Sequence, residues 1–555
     1  MSADRLLMRA ALRGGGWSAL LAVATLADAA AVTILPITLA RAIDGVLTGS
    51  GTAAVWACAA LIAVSATADM LIQLAAGAGA AHATAWLRHS LVRHLLAAGP
   101  NLDLRAGDVT SRVVGGAAEA GVAPAAATQA VAALVPPAGA LIVLGVVDWR
   151  LAATVAVALP AIAALLHVLV RDISATVRRY LDVQGTIAAR LAEALTGART
   201  IAAAGTAERE VERILAPLPE LHAEGQAMWR VQGSVAARGL LSLTLLQIAV
   251  VGAAGMELMA GRISPGELVA AVQYAGLAAG FGPVVTQVLR LGRARAGATR
   301  AEEVLARPVR HHGAEAPPPG PGTLEFRGVT AGGLQNVDLT VPGGQAVAVV
   351  GRSGAGKSLL AALAGRLTDP DRGEVLLDGV PLPRLSHAAL RDAIGYAFAR
   401  PALFGETVGD AIGFGRAAVP EGRVEQAAVT ACADRFIERL PGGYRTRIED
   451  APMSGGELQR IGLARAFAHP GRLLVLDDAT SSLDTATELQ ISQVLLGPLS
   501  DRTRLVIAHR AGTAARADLV VWLDDGRVRA CGHHADLWRD PGYRAVFGGG
   551  SGDPS

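Results

Sequence analysis

A membrane all-α domain fused to an α/β domain of the phosphate-binding-loop type is predicted for this 555-residue chain by three observations. Six apolar stretches of spanning length fill the region before about residue 290. From Leu324 the pattern changes to short apolar strands alternating with helices. Within that second half, Gly351-Arg352-Ser353-Gly354-Ala355-Gly356-Lys357-Ser358 fits the pattern G-x-x-x-x-G-K-[ST]. Composition agrees, with 52% hydrophobic residues and a mean hydropathy of +0.40, both high for a chain without spans. A net charge of +2 carries no nucleic-acid footprint. Cys58, Cys432 and Cys531 lie too far apart for a disulfide framework or a metal motif.

Taken in order, Arg5, Arg9 and Arg13 precede the first apolar run and are expected to hold the N-terminus in the cytoplasm. That run continues at spanning length with no small-residue cleavage site, so no cleavable signal peptide is expected. The six stretches lie near 17–42, 52–80, 122–147, 151–170, 239–260 and 267–289, each close to the roughly 20 residues a bilayer core requires. Short connections at 148–150 and 261–266 alternate with long ones rich in arginine. Arg88, Arg93, Arg105 and Arg112 lie in one long connection; Arg171, Arg178, Arg179, Arg190, Arg199, Arg209 and Arg213 lie in the other. This asymmetry puts both long connections in the cytoplasm, and the periodic Leu, Ile and Ala of 186–214 predict helical extensions of the spans.

Charged side chains inside spans are costly and therefore informative. Asp28 lies in the first stretch, Asp69 in the second, and Glu257 near the outer end of the fifth, close to Arg262. Asp28 and Asp69 are candidate lining residues of a pathway for a cationic cargo; pairing with hydroxyls and amides of neighbouring helices is the alternative. The Pro/Gly-rich segment 307–323 reads as a linker, and its His311 and His312 are expected to be solvated rather than metal-binding. The predicted domains are thus 1–306, in the membrane, and 324–547, of α/β type, with a flexible tail at 548–555.

The loop Gly351–Ser358 follows the apolar run 346–350 and precedes a helical run, the context its chemistry needs. Its glycines let backbone N–H groups turn onto phosphate oxygens, aided by the helix N-terminus. Lys357 can reach the β- and γ-phosphates and Ser358 can place a hydroxyl on Mg²⁺. Lys357 is the only lysine in the chain, every other Lys/Arg position being arginine. A compact ammonium is retained at the one place where a planar guanidinium does not substitute. The strand-like run 473–476 ends in Asp477 and Asp478, where one carboxylate can hold Mg²⁺ and the next can polarise water. Ser454-Gly455-Gly456-Glu457 opens another helix and forms a second anion nest.

These motifs together resemble the ATP-binding-cassette (ABC) transporters, and six spans ahead of one cassette resemble a half-transporter of the exporter type. The resemblance covers the whole chain. It implies ATP and Mg²⁺ as cofactors, a lipid bilayer as surroundings, a multi-pass place in a bacterial cell membrane, and a second half-transporter as partner. It implies that Gly351 to Ser358 bind this chain's ATP, while Ser454, Gly455, Gly456 and Glu457 form the signature that completes the partner's site. By the same resemblance Asp477 and Ser358 hold the metal, Asp478 takes the catalytic carboxylate position, Asp484 belongs to the D-loop, and His509 is the switch histidine. Coupling helices are implied in the long connections, the second near 199–207.

Three departures fall on this chain's own site. The catalytic position carries Asp478 where the family has Glu. The family's Q-loop glutamine corresponds to Ala399. No aromatic precedes the loop near 329–332, where the segment reads as shortened. The signature is intact, with Glu457 for Gln as a mild change. A heterodimer whose fast site uses this chain's Ser454–Gly456 is therefore expected, against a homodimer in which Asp478 still works. A regulatory, non-hydrolysing subunit is the runner-up. Segments 448–457 and 476–484 are similar to those of half-transporters encoded with lanthipeptide pathways, which points to a peptide cargo. No protease domain is expected ahead of the spans, and drug, lipid and siderophore cargoes, the last in an importing relative, stay open.

Overall fold

The computed structural model describes residues 3–49, 52–99, 106–280, 282–496 and 499–548. They fall into two compact units that divide after Pro308, with Ala98 and Gly99 grouped with the second.

Among its described residues the first unit is built of helices joined by turns. Among the described residues, five helical runs are long and apolar enough to cross a membrane: Gly15–Thr48, Thr52–Ala98, Gly107–Val147, Ala207–Met259 and Pro265–Leu305. The expected stretch 151–170 falls on a sixth helix, Trp149–Thr196, 48 residues long. Only its start, Trp149–Ala158, counts as apolar and described; the side chains of 161–178 lie outside the described residues. The count therefore differs from six by what is described, and the chain is a multi-pass helical domain either way.

The short connections are set by caps. Asp148 accepts from the Arg150 amide at 2.8 Å and starts Trp149–Thr196. Ser264 and Glu267 form a reciprocal capping box, with Pro265 at the first helical position. The Gly266 amide donates to Asp44 Oδ1 at 2.8 Å. A Cβ at Gly266 would lie 2.2 Å from the Ala40 carbonyl oxygen. Only glycine lets Gly15–Thr48 and Pro265–Ala278 approach this closely, the small-residue packing that membrane helices favour. Glu257 is buried. It pairs with Arg150 at 3.0 Å and with Arg262, so one buried acid ties the two short connections together. In the second long connection a short helix, Ala198–Ala204, ends at Gly205 with φ +65°.

Among the described residues the second unit has ten strands: β1 (Leu324–Ala331), β2 (Leu334–Val341), β3 (Ala346–Val350), β4 (Arg372–Leu377), β5 (Val380–Pro381), β6 (Ile394–Phe398), β7 (Leu473–Asp477), β8 (Thr503–Ile507), β9 (Leu519–Asp524) and β10 (Arg527–Gly532). One sheet has the order β2-β1-β4-β5, the other β10-β9-β3-β8-β7-β6. In the larger sheet β3 pairs in parallel with β8 and β9, and β7 with β6 and β8. Every residue of β3 and β8 is buried, as expected of parallel strands covered on both faces. The parallel arrangement brings the C-terminal ends of β3, β6, β7 and β8 to one edge, where ligands of open α/β sheets bind.

The linker is less solvated than its composition predicts. His312 is half-buried, stacks edge-on against His387 at 4.9 Å, and accepts from Arg366 Nη1 at 3.0 Å. Burial, followed by the Arg366 charge, pushes its imidazole down to about 4. The unfolded chain therefore binds a proton between about pH 6.5 and 4 that the folded chain does not, so stability falls as pH drops through that window. His312→Gln is expected to flatten this acid limb by about 1–3 kcal/mol, allowing for the part-exposed ring. Thermal unfolding of the lipid-embedded chain at pH 7.5 and 4.5 measures it; an unchanged acid limb contradicts the assignment.

Candidate functional site

The loop Gly351–Gly356 leaves buried β3 and turns into the helix Lys357–Ala364. Gly354 and Gly356 have φ +85° and +97°, and a Cβ at Gly356 would lie 2.6 Å from Leu334. Lys357 is buried and donates from Nζ to the carbonyls of Gly351 at 2.7 Å and Arg352 at 2.9 Å. Burial lowers its ammonium from the ordinary value while Asp478 pulls it up. The lysine is thus held in the loop by carbonyls that a phosphate oxygen can replace as partner.

Asp477 ends β7 and Asp478 follows it. Burial pushes the Asp477 carboxyl above the ordinary range; the Ser358 hydroxyl lies against it and lowers it, Asp478 raises it, and the Tyr396 phenol lowers it again. Asp477 Oδ1 is buried and has no hydrogen-bond partner. An orphaned carboxylate oxygen beside a Ser hydroxyl is a donor set that suits a hard divalent cation. Asp478 has φ +54°, in the left-handed region that Asp tolerates better than most residues. His509, exposed beyond the end of β8, places Nε2 at 3.8 Å from Asp478 Oδ1. Loop, Ser358, Asp477, Asp478 and His509 therefore converge on one sheet edge.

Ser454 caps the helix Gly455–Ala468. Its amide and hydroxyl both donate to Glu457 Oε2 at 2.8 Å, and the Glu457 amide donates back to Ser454 Oγ at 3.3 Å. Glu457 thus completes a capping box, and these bonds, the backbone one first, hold its carboxyl below the ordinary range. The Glu in place of Gln is mild because either side chain closes such a box. Glu457→Gln is expected to leave thermal stability within about 0.5 kcal/mol, and Glu457→Ala to cost about 1 kcal/mol. Equal losses in the two variants would show that the box contributes nothing. Asp484 caps the next helix, accepting from the Thr487 amide at 2.9 Å and hydroxyl at 2.7 Å.

The three departures have structural counterparts. Ala399 follows β6, whose Phe398 lies opposite Asp477, so position 399 sits at the same edge with no side-chain donor. β1 and β2 join through the two residues Gly332 and Gly333, with Ala331 paired to Leu334, and no aromatic projects there. Two residues were not picked out from the sequence. Tyr396 shares a sheet face with Phe398 and Asp477 by strand alternation, and its ring stands 4.3 Å from that of Phe398. Gln459 is buried on the signature helix. It donates to the Ala399 carbonyl at 2.8 Å and Ser481 Oγ at 3.0 Å, and accepts from the Ser482 amide at 2.9 Å. One amide thereby ties the 399 loop and the Ser481–Ser482 turn to the signature helix. A polar residue at a core position of that helix is the signal that marks it.

A parallel sheet edge with this loop, two acids and a Ser-Gly-Gly helix start, fused to a multi-pass helical unit, defines an ATPase coupled to membrane transport. The comparisons agree: residues 18–280 match the ABC transporter transmembrane region and residues 334–481 the ABC transporter domain. The chain belongs to the ABC transporter family, as a half-transporter of the exporter type. It is 47% identical over 547 residues to the ABC transporter ATP-binding protein RamA of Streptomyces coelicolor, covering 97% of this chain and 86% of that one. It is 33% identical to an ATP-dependent lipid A-core flippase of Chromohalobacter salexigens over 67% of this chain and 66% of that one. In fold it is similar to a bacterial Atm1-family ABC exporter with ATP bound, at a TM-score of 0.81 and 23% identity, over 97% of this chain and 99% of the other.

Proposed function

We propose that this chain is one half of a heterodimeric exporter, in which its own ATP site binds nucleotide and turns it over slowly while its Ser454–Gly456 turn completes a fast site in the partner. The observation that carries this is the contrast within one domain. The signature turn is capped and intact, whereas the edge that faces this chain's own nucleotide has Asp478, Ala399 and a two-residue β1–β2 turn without an aromatic. Ser358 and Asp477, whose Oδ1 has no hydrogen-bond partner, would hold Mg²⁺, which would there neutralise phosphate charge. Domain limits near 306 and 324, and a role for Asp484 and His509 beside the partner's nucleotide and the γ-phosphate, belong to the same reading. A peptide is the proposed cargo, on the similarity of segments 448–457 and 476–484 to lanthipeptide-pathway half-transporters. A purely regulatory, non-hydrolysing subunit is the second reading, favoured by Ala399 and Asp478 together.

The test is the composition of the tagged protein, gently extracted from its native membrane and identified by mass. A distinct half-transporter in equal amount is expected. Recovery of this chain alone, as a dimer whose ATPase is abolished by Asp478→Asn, would overturn the asymmetric reading.

A further inference from the structure

The first unit holds a cavity of about 470 Å³ among its apolar helices, within the size range of small-molecule sites. Asp28 from Gly15–Thr48, Asp69 and Gln73 from Thr52–Ala98, Gln129 from Ala123–Ala132 and Gln287 from Gly282–Leu305 line it, against walls of Ala, Val, Ile, Leu and Pro. The sequence marks Asp28 and Asp69 as candidate lining residues of one pathway for a cationic cargo, and both line this cavity. Among the described residues, no Lys, Arg or His lines it. Asp28 Oδ1 accepts from Ser65 Oγ at 2.6 Å, so the pairing with a neighbouring helix's hydroxyl holds for one oxygen of one acid. Gln287 Oε1 is buried and has no hydrogen-bond partner.

We propose that this cavity binds the amine or guanidinium end of an amphipathic cation, with Asp28 and Asp69 as its counter-charges and Gln287 as a neutral acceptor for its N–H groups. Two carboxylates in a spanning region without a cationic lining residue attract a cation in a medium where charge is weakly screened. Anionic and zwitterionic carboxylate groups are repelled by the same pair, which sets the cargo's chemical class. The apolar walls suit a hydrophobic body next to the charge. A peptide bearing Lys, Arg or a free N-terminus has this chemistry, and so does the amine of a lipid headgroup. The inference rests on the exporter class and deepens its cargo, and it does not depend on the heterodimer.

The experiment uses the protein as purified from its membrane, with any partner retained, in phosphatidylcholine nanodiscs. The probes are dansylcadaverine, a primary ammonium on an apolar fluorophore, and its uncharged N-acetyl derivative. Binding of the amine at least about tenfold tighter than its acetylated form is expected. In the double variant Asp28→Asn/Asp69→Asn the two probes should bind within about twofold of one another. Labelled ATP should bind this variant as it binds the wild type, showing an intact nucleotide domain. Should the double variant fail to assemble, Asp69→Asn alone changes an exposed side chain and should lower the preference at least about threefold. Equal binding of both probes to the wild type, or a preference that survives the Asp substitutions, overturns the proposal. Displacement of the amine by phosphatidylethanolamine would keep the cation site and assign the amine to lipid. Loss of ATP binding in the wild type would instead count against the transporter reading and leave the cavity's preference to stand by itself.

Discussion

Gly456→Asp in this chain is expected to lower the ATP turnover of the assembled transporter at least about 100-fold, while Asp478→Asn in the same chain lowers it less than about threefold. The reasons are local. A Cβ at Gly456 would lie 3.1 Å from the Ser482 carbonyl oxygen, so even one carbon crowds the turn that follows Asp478. A carboxylate there adds negative charge at an N-terminal nest whose use is to receive an anion. If that nest serves the partner's ATP, the fast site is lost. On the proposed asymmetry Asp478 serves the other, slow site, so removing its charge should subtract little. Steady-state ATPase of the co-purified complex in lipid measures both. The reverse ranking, with Asp478→Asn the damaging change, would place hydrolysis on this chain's own site and sink the asymmetric reading.

What was legible in the sequence follows from how local the physics is. The phosphate loop is a contiguous backbone solution, so eight neighbouring residues announce it. Spans announce themselves by length and apolarity, and the short connections at 148–150 and 261–266 by their break in it, while the Asp148 and Ser264 caps came only with the structure. Glu257 was legible beside Arg262, five residues on, but its bond to Arg150 joins positions 107 apart. Gln459 reaches a carbonyl 60 residues away, and Tyr396 meets Asp477 only because β6 and β7 are neighbours in the sheet. Such contacts depend on strand order, which composition does not encode. The linker shows the opposite error. Its Pro and Gly content signals a solvated connection, yet Arg366, 54 residues on, holds His312 against the α/β unit. Asp28 and Asp69 were legible as costly acids of one candidate pathway, whereas Gln129 and Gln287, from helices far along the chain, join them only through helix packing.

The own site can also be tested by repair. Asp478→Glu with Ala399→Gln is expected to raise hydrolysis at this chain's nucleotide by about 10–100-fold, read in a complex whose other site is silenced by Gly456→Asp. The aspartate is a compromise between backbone and chemistry. At φ +54° a short acid is well tolerated, and Glu there costs about 1 kcal/mol of local strain. On the proposed reading the chemistry asks for the longer arm. One more methylene carries the carboxylate on the order of an ångström toward the nucleotide, and a displacement of that size near a reacting centre changes rate by about 10²-fold. His509 Nε2 stands 3.8 Å from the Asp478 carboxylate, beyond hydrogen-bond reach, so a longer acid could meet it. Position 399 needs its side chain as well. Its carbonyl is taken by Gln459, and alanine offers no other group toward the metal edge next to Asp477. A Gln there restores a neutral ligand without adding charge. The single variants should fall short of the double, because residues that act as a unit are not additive. No gain in the double variant, with ATP binding preserved, would mean that Asp478 and Ala399 do not limit the site and would sink the proposal that they make its turnover slow.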